Sequence, residues 1–106
     1  MAVPDRRGLL KGLEADMPEL FAEMRDDLRD NPFCREFVLL IRGVIYNSEP
    51  NNPVFAYYFS EHAHLKQKVR ILENNGLLQD ITYTNTDRFR MSEELVDYLK
   101  SDVNPS

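Results

Sequence analysis

The chain has one cysteine, Cys34, so no disulfide can form within it and its stability has to come from packing. Tryptophan is absent, and the four glycines, Gly8, Gly12, Gly43 and Gly76, stand far apart. That spacing excludes a glycine-rich phosphate loop, which needs its glycines close together in one turn. His62 and His64 are the only histidines. Two residues apart on a helix, they point about 200° from each other and cannot clasp one metal ion as an i, i+4 pair can. Long apolar runs are also missing: residues 37–41 and 54–59 are the longest, well short of the roughly 20 residues that span a bilayer. With no apolar leader at the start, the expected setting is reducing and cytoplasmic, with no membrane partner.

A basic surplus is missing too. The formal net charge is −5. Residues 1–47 hold seven basic and nine acidic groups, and residues 48–106 hold six and nine. Nucleic-acid binders need a positive footprint to displace counterions from phosphate, so this balance opposes a DNA partner without forbidding a local patch.

What is present suits a folded domain. Hydrophobic residues make up 42% of the 106 and charged residues 29%, enough for a core and a solvated surface. No catalytic set emerges. Cys34 has no base spaced to activate it, Ser60 and Ser92 suit helix caps, and Asp26-Asp27 and Glu93-Glu94 read as exposed helix neighbours. The expectation is a protein that is not an enzyme, with no metal, cofactor or small-molecule ligand.

Along the chain, Leu9, Leu10 and Leu13 mark a short helical segment, and Arg6, Arg7 and Lys11 beside them read as a solvated terminus or a basic arm. Asp16, Pro18 and Glu19 spell a helix start: a capping aspartate, a proline in the first turn and a glutamate reaching back. The helix runs to about Arg29, with Met17, Leu20, Phe21, Met24 and Leu28 on one stripe. A neighbouring helix or a second copy of the chain must cover that stripe, which makes these five residues the candidate dimerisation surface. Residues 1–30 are expected as an N-terminal helical extension and residues 31–106 as the main domain.

After the Asn31-Pro32 break, residues 33–46 are apolar on nearly every side and predict a buried central helix, with Gly43 allowing close packing. Residues 47–53, rich in proline and asparagine, are a loop. Residues 54–59 then read as an aromatic strand, expected beside the Phe89–Met91 strand. Leu65, Val69 and Leu72 recur at helical spacing within a helix over 62–75, and Asn74, Asn75 and Gly76 stop it, with Leu77 folding back on the last turn. Leu78, Ile81, Tyr83, Phe89 and Met91, interleaved with threonines around an Asn85-Thr86-Asp87 tip, form a hairpin. Ser92 caps a final helix over 93–100, whose Glu93 and Glu94 suit its N-terminus.

The text ILENNGLLQDITYTNTDRFRMSEELVDYL, with its Leu72-Glu73-x-x-Gly76-Leu77 junction, resembles the C-terminal half of winged-helix domains of bacterial regulators. The resemblance implies an α+β, helix-rich domain with extra N-terminal helices and a small antiparallel sheet, made of a β-hairpin wing and one short strand. It makes the 62–75 helix a recognition helix and 80–90 the wing. Lys66, Gln67 and Arg70, with Arg88 and Arg90 in the wing, would then be the DNA-contacting residues, and Lys68 lies at the border of that face. Arginine and glutamine can read base edges, and lysines hold phosphates. The sequence departs from the family where a helix-turn-helix needs a second helix, since only one clear helix separates Phe59 from Gly76. Over residues 60–92, five basic groups face four acidic ones. The expected function is therefore a regulatory domain acting through a protein partner or as a homodimer, with DNA binding as the alternative.

Overall fold

The computed structural model describes residues 6–41, 54–83 and 85–101. Their elements run α1 (Arg7–Asp16), α2 (Pro18–Asp30), β1 (Glu36–Leu40), β2 (Phe55–Tyr58), α3 (Leu65–Asn74), β3 (Leu78–Asp80), β4 (Arg88–Met91) and α4 (Glu93–Lys100). The class is α+β, as expected from the sequence, but the sheet is larger and mixed. Its order is β2-β1-β4-β3.

α1 and α2 are separated by a single residue. Asp16 is the last residue of α1 rather than a cap, and Met17 occupies the N-cap of α2 with no side-chain bond to the helix. The expected Asp16–Glu19 capping box therefore does not form. The reason is burial: by continuing to Asp16, α1 carries Leu10 and Leu13 into the core ahead of Met17. Pro18 does sit in the first turn, where its missing N–H leaves no bond unmade.

The predicted central helix over 33–46 is overturned. Glu36–Leu40 is a strand with neighbours on both sides, and Arg42–Tyr46, like the 47–53 loop, lies outside the described residues. A strand buried on both faces reads as an unbroken apolar run, which periodicity alone cannot tell from a buried helix. Phe37, Val38, Leu39 and Leu40 are all buried, alternately on either side of the sheet.

β2 is close to the predicted strand but has a different partner. It runs parallel to β1, with Phe37 opposite Phe55 and Leu39 opposite Tyr57. β4 is reached only through β1, by antiparallel pairs such as Phe37 with Phe89. β3 and β4 form the expected hairpin. On the face toward the helices, Phe37 stacks on Phe89 at 5.7 Å and tilts against Tyr57 at 5.0 Å.

α3 ends as its sequence predicts. Gly76 has φ +76°, its N–H donates to Glu73 O at 3.0 Å, and the N–H of Leu77 donates to Leu72 O at 3.0 Å. These are the two bonds of a Schellman stop, closed by the buried Leu72 and Leu77 side chains. Arg6 adds a third constraint. Its guanidinium donates to Asn75 O at 2.5 Å and pairs with Glu94 at 2.9 Å, so this residue ties α3 to α4 instead of forming a free arm. Ser92 caps α4 by accepting the Leu95 N–H at 3.1 Å.

One core joins all of these elements. It contains Leu10, Leu20, Phe21 and Met24 from the N-terminal helices as well as Phe37, Tyr57, Val69, Phe89 and Leu95. Residues from 1–30 and 31–106 therefore share the same interior.

Two glycine substitutions separate backbone strain from packing, because a Cβ at either Gly12 or Gly76 would meet nothing within 4 Å. Gly12→Ala, inside α1, should raise stability by about 0.5–1 kcal/mol. Gly76→Ala should lower it by about 1–2 kcal/mol through left-handed backbone strain alone. Urea denaturation of both variants checks the opposite signs.

Candidate functional site

Burial of Leu65, Val69 and Leu72 against the core fixes which side of α3 faces water. Gln67, Lys66 and Arg70 are exposed on it, as the recognition-helix reading requires, and Lys68 is half-buried at the edge. Lys66 and Arg70 have acidic neighbours. Lys66 pairs with Asp87 at the hairpin, and Arg70 lies 3.8 Å from Glu73. Asp80 joins the group: the Thr82 backbone N–H, then its hydroxyl, hold the Asp80 carboxyl below its ordinary range, with Lys66 and Arg70 adding to the effect. Three cations thus share this surface with Glu73, Asp80 and Asp87.

Arg88 and Arg90 lie elsewhere. Register places Arg90 opposite Glu36 and Arg88 opposite Val38, on the face of the sheet that points away from the Phe37–Phe89 stack and hence from α3. Glu36 holds both arginines. Its Oε1 accepts from Arg88 Nε at 3.0 Å and Nη2 at 2.6 Å, and its Oε2 accepts from Arg90 Nη2 at 3.0 Å. Arg88 is only 8% exposed and also reaches Tyr83, whose ring lies 5.8 Å from its guanidinium carbon. Burial disfavours the charge on Glu36, but the bonds from Arg90 and Arg88 outweigh it and hold the carboxyl below its usual range. The five candidate DNA contacts are thus divided between two sides of the molecule, and Arg88 is a structural ion partner.

The candidate dimerisation stripe is corrected as well. Met17, Leu20, Phe21, Met24 and Leu28 are each 1% exposed or less within a single chain. α4 covers them with Leu95, Val96 and Leu99, and Tyr98 meets Phe21 edge-on at 6.1 Å. Polar contacts lock this packing: Arg25 donates to Leu99 O at 3.0 Å and Glu14 at 2.7 Å, and the Tyr98 hydroxyl donates to Glu14 at 2.6 Å. Of the two possible covers, a neighbouring helix is the one used.

Two features escaped sequence reasoning. One is a buried polar group between α2 and β2. His62 Nε2 lies 2.5 Å from Glu23 Oε1, its ring meets Tyr57 edge-on at 6.2 Å, and its Nδ1 and the Tyr57 hydroxyl are buried without a hydrogen-bond partner. Next to it, burial pushes the Asp27 carboxyl up, with Glu23, Asp26 and Asp30 adding repulsion. His64 is the exposed N-cap of α3 in a left-handed conformation. Among the described residues no three His, Cys, Asp or Glu side chains are grouped to hold a metal ion.

The other is a cleft of about 600 Å³ where α2 gives way to β1, lined by Asp30 to Glu36, Arg90, Met91 and Glu93. Phe33, expected inside a buried helix, is 89% exposed at its edge. Cys34 is inside, where burial pushes its thiol above its ordinary value and makes it a poor nucleophile. The Asn31-Pro32 break was the available signal, since a chain that turns there need not bury the next residue.

Glu36→Gln leaves Arg88 buried with a weaker acceptor and should cost roughly 3 kcal/mol near neutral pH. Because the folded carboxyl titrates below its unfolded value of about 4.3, its contribution is full above that value and fades as pH falls through the folded one. The gap between parent and variant in urea denaturation should therefore close in acid. Comparison of the chain with protein-family models, curated proteins and solved structures finds no match in any of the three, so its function has to be read from its own residues.

Proposed function

We propose that this chain is a regulatory domain without catalytic activity, acting by protein–protein contact or self-association on a winged-helix scaffold. The scaffold part is supported by order and pairing: a helix, a strand joined antiparallel to the second strand of a later hairpin, and a helix that stops at a glycine directly before that hairpin. Residues 59–64 form turns, and β2 precedes them, where the family pattern has the first helix of its pair.

One observation carries the choice of partner. Lys66 is paired with Asp87, Arg70 lies close to Glu73, and Arg88 and Arg90 share Glu36. Phosphate binding draws its free energy from cations that release counterions, and cations already matched inside the protein must first give up their partners. With a net charge of −5 the long-range field also repels DNA. Protein contact makes no such demand.

A second reading retains specific support, because Lys66, Gln67 and Arg70 share an exposed helix surface beside the hairpin. Fluorescence anisotropy with mixed-sequence duplex DNA at low salt separates the two. The expected result is no binding there, together with a doubled mass in light scattering or a protein recovered in a pull-down. Salt-sensitive DNA binding that Lys66→Ala or Arg70→Ala weakens, each lowering the salt slope by about 0.9, would overturn the choice.

A further inference from the structure

Asn75 is the one asparagine of the eight that precedes a glycine. That pairing is chemically reactive. The backbone nitrogen of the following residue can attack the side-chain carbonyl carbon of the asparagine, and a glycine has no side chain to obstruct the approach. A bond forms between Gly76 N and Asn75 Cγ, the Cγ–Nδ2 bond breaks, and Nδ2 leaves as ammonia with the proton that the Gly76 nitrogen gives up. Water then opens the succinimide ring at either carbonyl, which leaves aspartate or isoaspartate at position 75.

In the fold, three contacts hold the reacting atoms apart. The Asn75 side-chain amide donates to Ile71 O at 2.8 Å, which turns it back along α3 and away from the next residue. The Gly76 N–H is occupied by Glu73 O at 3.0 Å. Arg6 donates to Asn75 O at 2.5 Å, so the peptide plane between Asn75 and Gly76 is fastened from outside the helix. Ring closure brings Gly76 N onto Asn75 Cγ and requires all three to release. The stop lies where that can happen locally, since Asn75 is half-buried and Gly76 exposed. Helix ends of this kind open at far less cost than the whole fold.

The products cannot rebuild the stop. Aspartate at position 75 replaces the donor to Ile71 O with a carboxylate at the carbonyl end of α3, where negative charge is disfavoured. Isoaspartate sends the main chain through the former side chain and adds a methylene before Gly76. The N–H groups of Gly76 and Leu77 then no longer reach Glu73 O and Leu72 O together, and the buried Leu77 loses its register with Leu72.

We infer that Asn75-Gly76 is a self-modifying site kept shut by the α3 stop. Deamidation proceeds from a locally opened turn, and each event removes the C-terminal seat of α3 irreversibly. The domain thus carries an age-dependent loss of α3 seating that consumes only water and does not depend on which partner the domain binds.

Peptide mapping by mass spectrometry, with fragmentation that separates aspartate from isoaspartate, tests it on the full chain incubated at mildly alkaline pH with and without denaturing urea. In urea, Asn75 should deamidate ahead of every other asparagine, and Gly76→Ala should remove that lead. The folded parent should react roughly a hundredfold more slowly, because three hydrogen bonds at about fivefold apiece hold the closed form. Arg6→Ala should speed the folded reaction about fivefold and leave the rate in urea unchanged. Glu36→Gln weakens the fold on the other face of the sheet and separates local opening from global unfolding, so it should leave the folded rate at the parent value. Aged folded protein should show a urea midpoint that falls as its isoaspartate content rises. Equal rates with and without urea, another asparagine reacting first in urea, no response to Arg6→Ala, or an acceleration by Glu36→Gln that matches Arg6→Ala would each overturn the inference.

Discussion

Glu36–Leu40 is bonded to β2 on one side and to β4 on the other, and it sends side chains into both faces of the sheet. Nearly every other element is placed by it. Phe37 and Leu39 supply the surface on which the helices close, through the aromatic contacts with Tyr57 and Phe89. On the reverse side its first residue, Glu36, is the carboxylate that lets Arg88 stay buried. A single unpaired guanidinium there would cost several kcal/mol, so the strand's edge charge matters as much as its apolar centre.

That dependence shapes what the molecule can bind. The same Glu36 carboxylate ties Arg88 and Arg90 to the sheet, so a phosphate chain would have to compete with it for both. On the α3 side the hairpin returns Asp87 to Lys66. The hairpin thus neutralises the helix it flanks, whereas a DNA reader would gain by adding charge of the same sign.

How legible the fold was depended on how local each determinant is. The α3 stop needs only Leu72, Gly76 and Leu77, and the α4 start needs only Ser92 and the Leu95 N–H, so short stretches of sequence predicted both. β1 is different. Its run of Phe37, Val38, Leu39 and Leu40 is apolar because it is central, and centrality depends on β2 and β4, which lie far along the chain. Lacking that information, the same letters read as a buried helix. The error then spread to the site: a helix over 33–46 buries Phe33, hides the cleft and leaves the α2 stripe seeking a cover that α4 in fact provides. The matched charges were legible only in part, because five bases against four acids in residues 60–92 is a count, whereas Glu36, the acid that holds two of those bases, lies outside that window.

The polar group around His62 shows what a fold accepts when it is built this way. α2 turns its apolar stripe to α4, which leaves Glu23 and Asp27 on the flank that faces β2 and the turns before α3. Two carboxylates at a half-buried junction repel each other, and the His62 ring beside Glu23 is the group placed to relieve that repulsion. The relief is incomplete: the Asp27 carboxyl stays above its ordinary range, and His62 Nδ1 and the Tyr57 hydroxyl have no hydrogen-bond partner. A fully apolar junction would spare that loss, but it would also leave Glu23 and Asp27 beside side chains that cannot answer their charge. His62 therefore acts as a tether: it holds the turns over 59–64 against α2 while those turns deliver the chain, through His64 in its left-handed conformation, to the first residue of α3. The seating of α3 is thus set at both ends by polar contacts from the N-terminal helices, Glu23 at its start and Arg6 at its stop. This makes α1 and α2 part of the machinery that positions α3 and not an appendage to it.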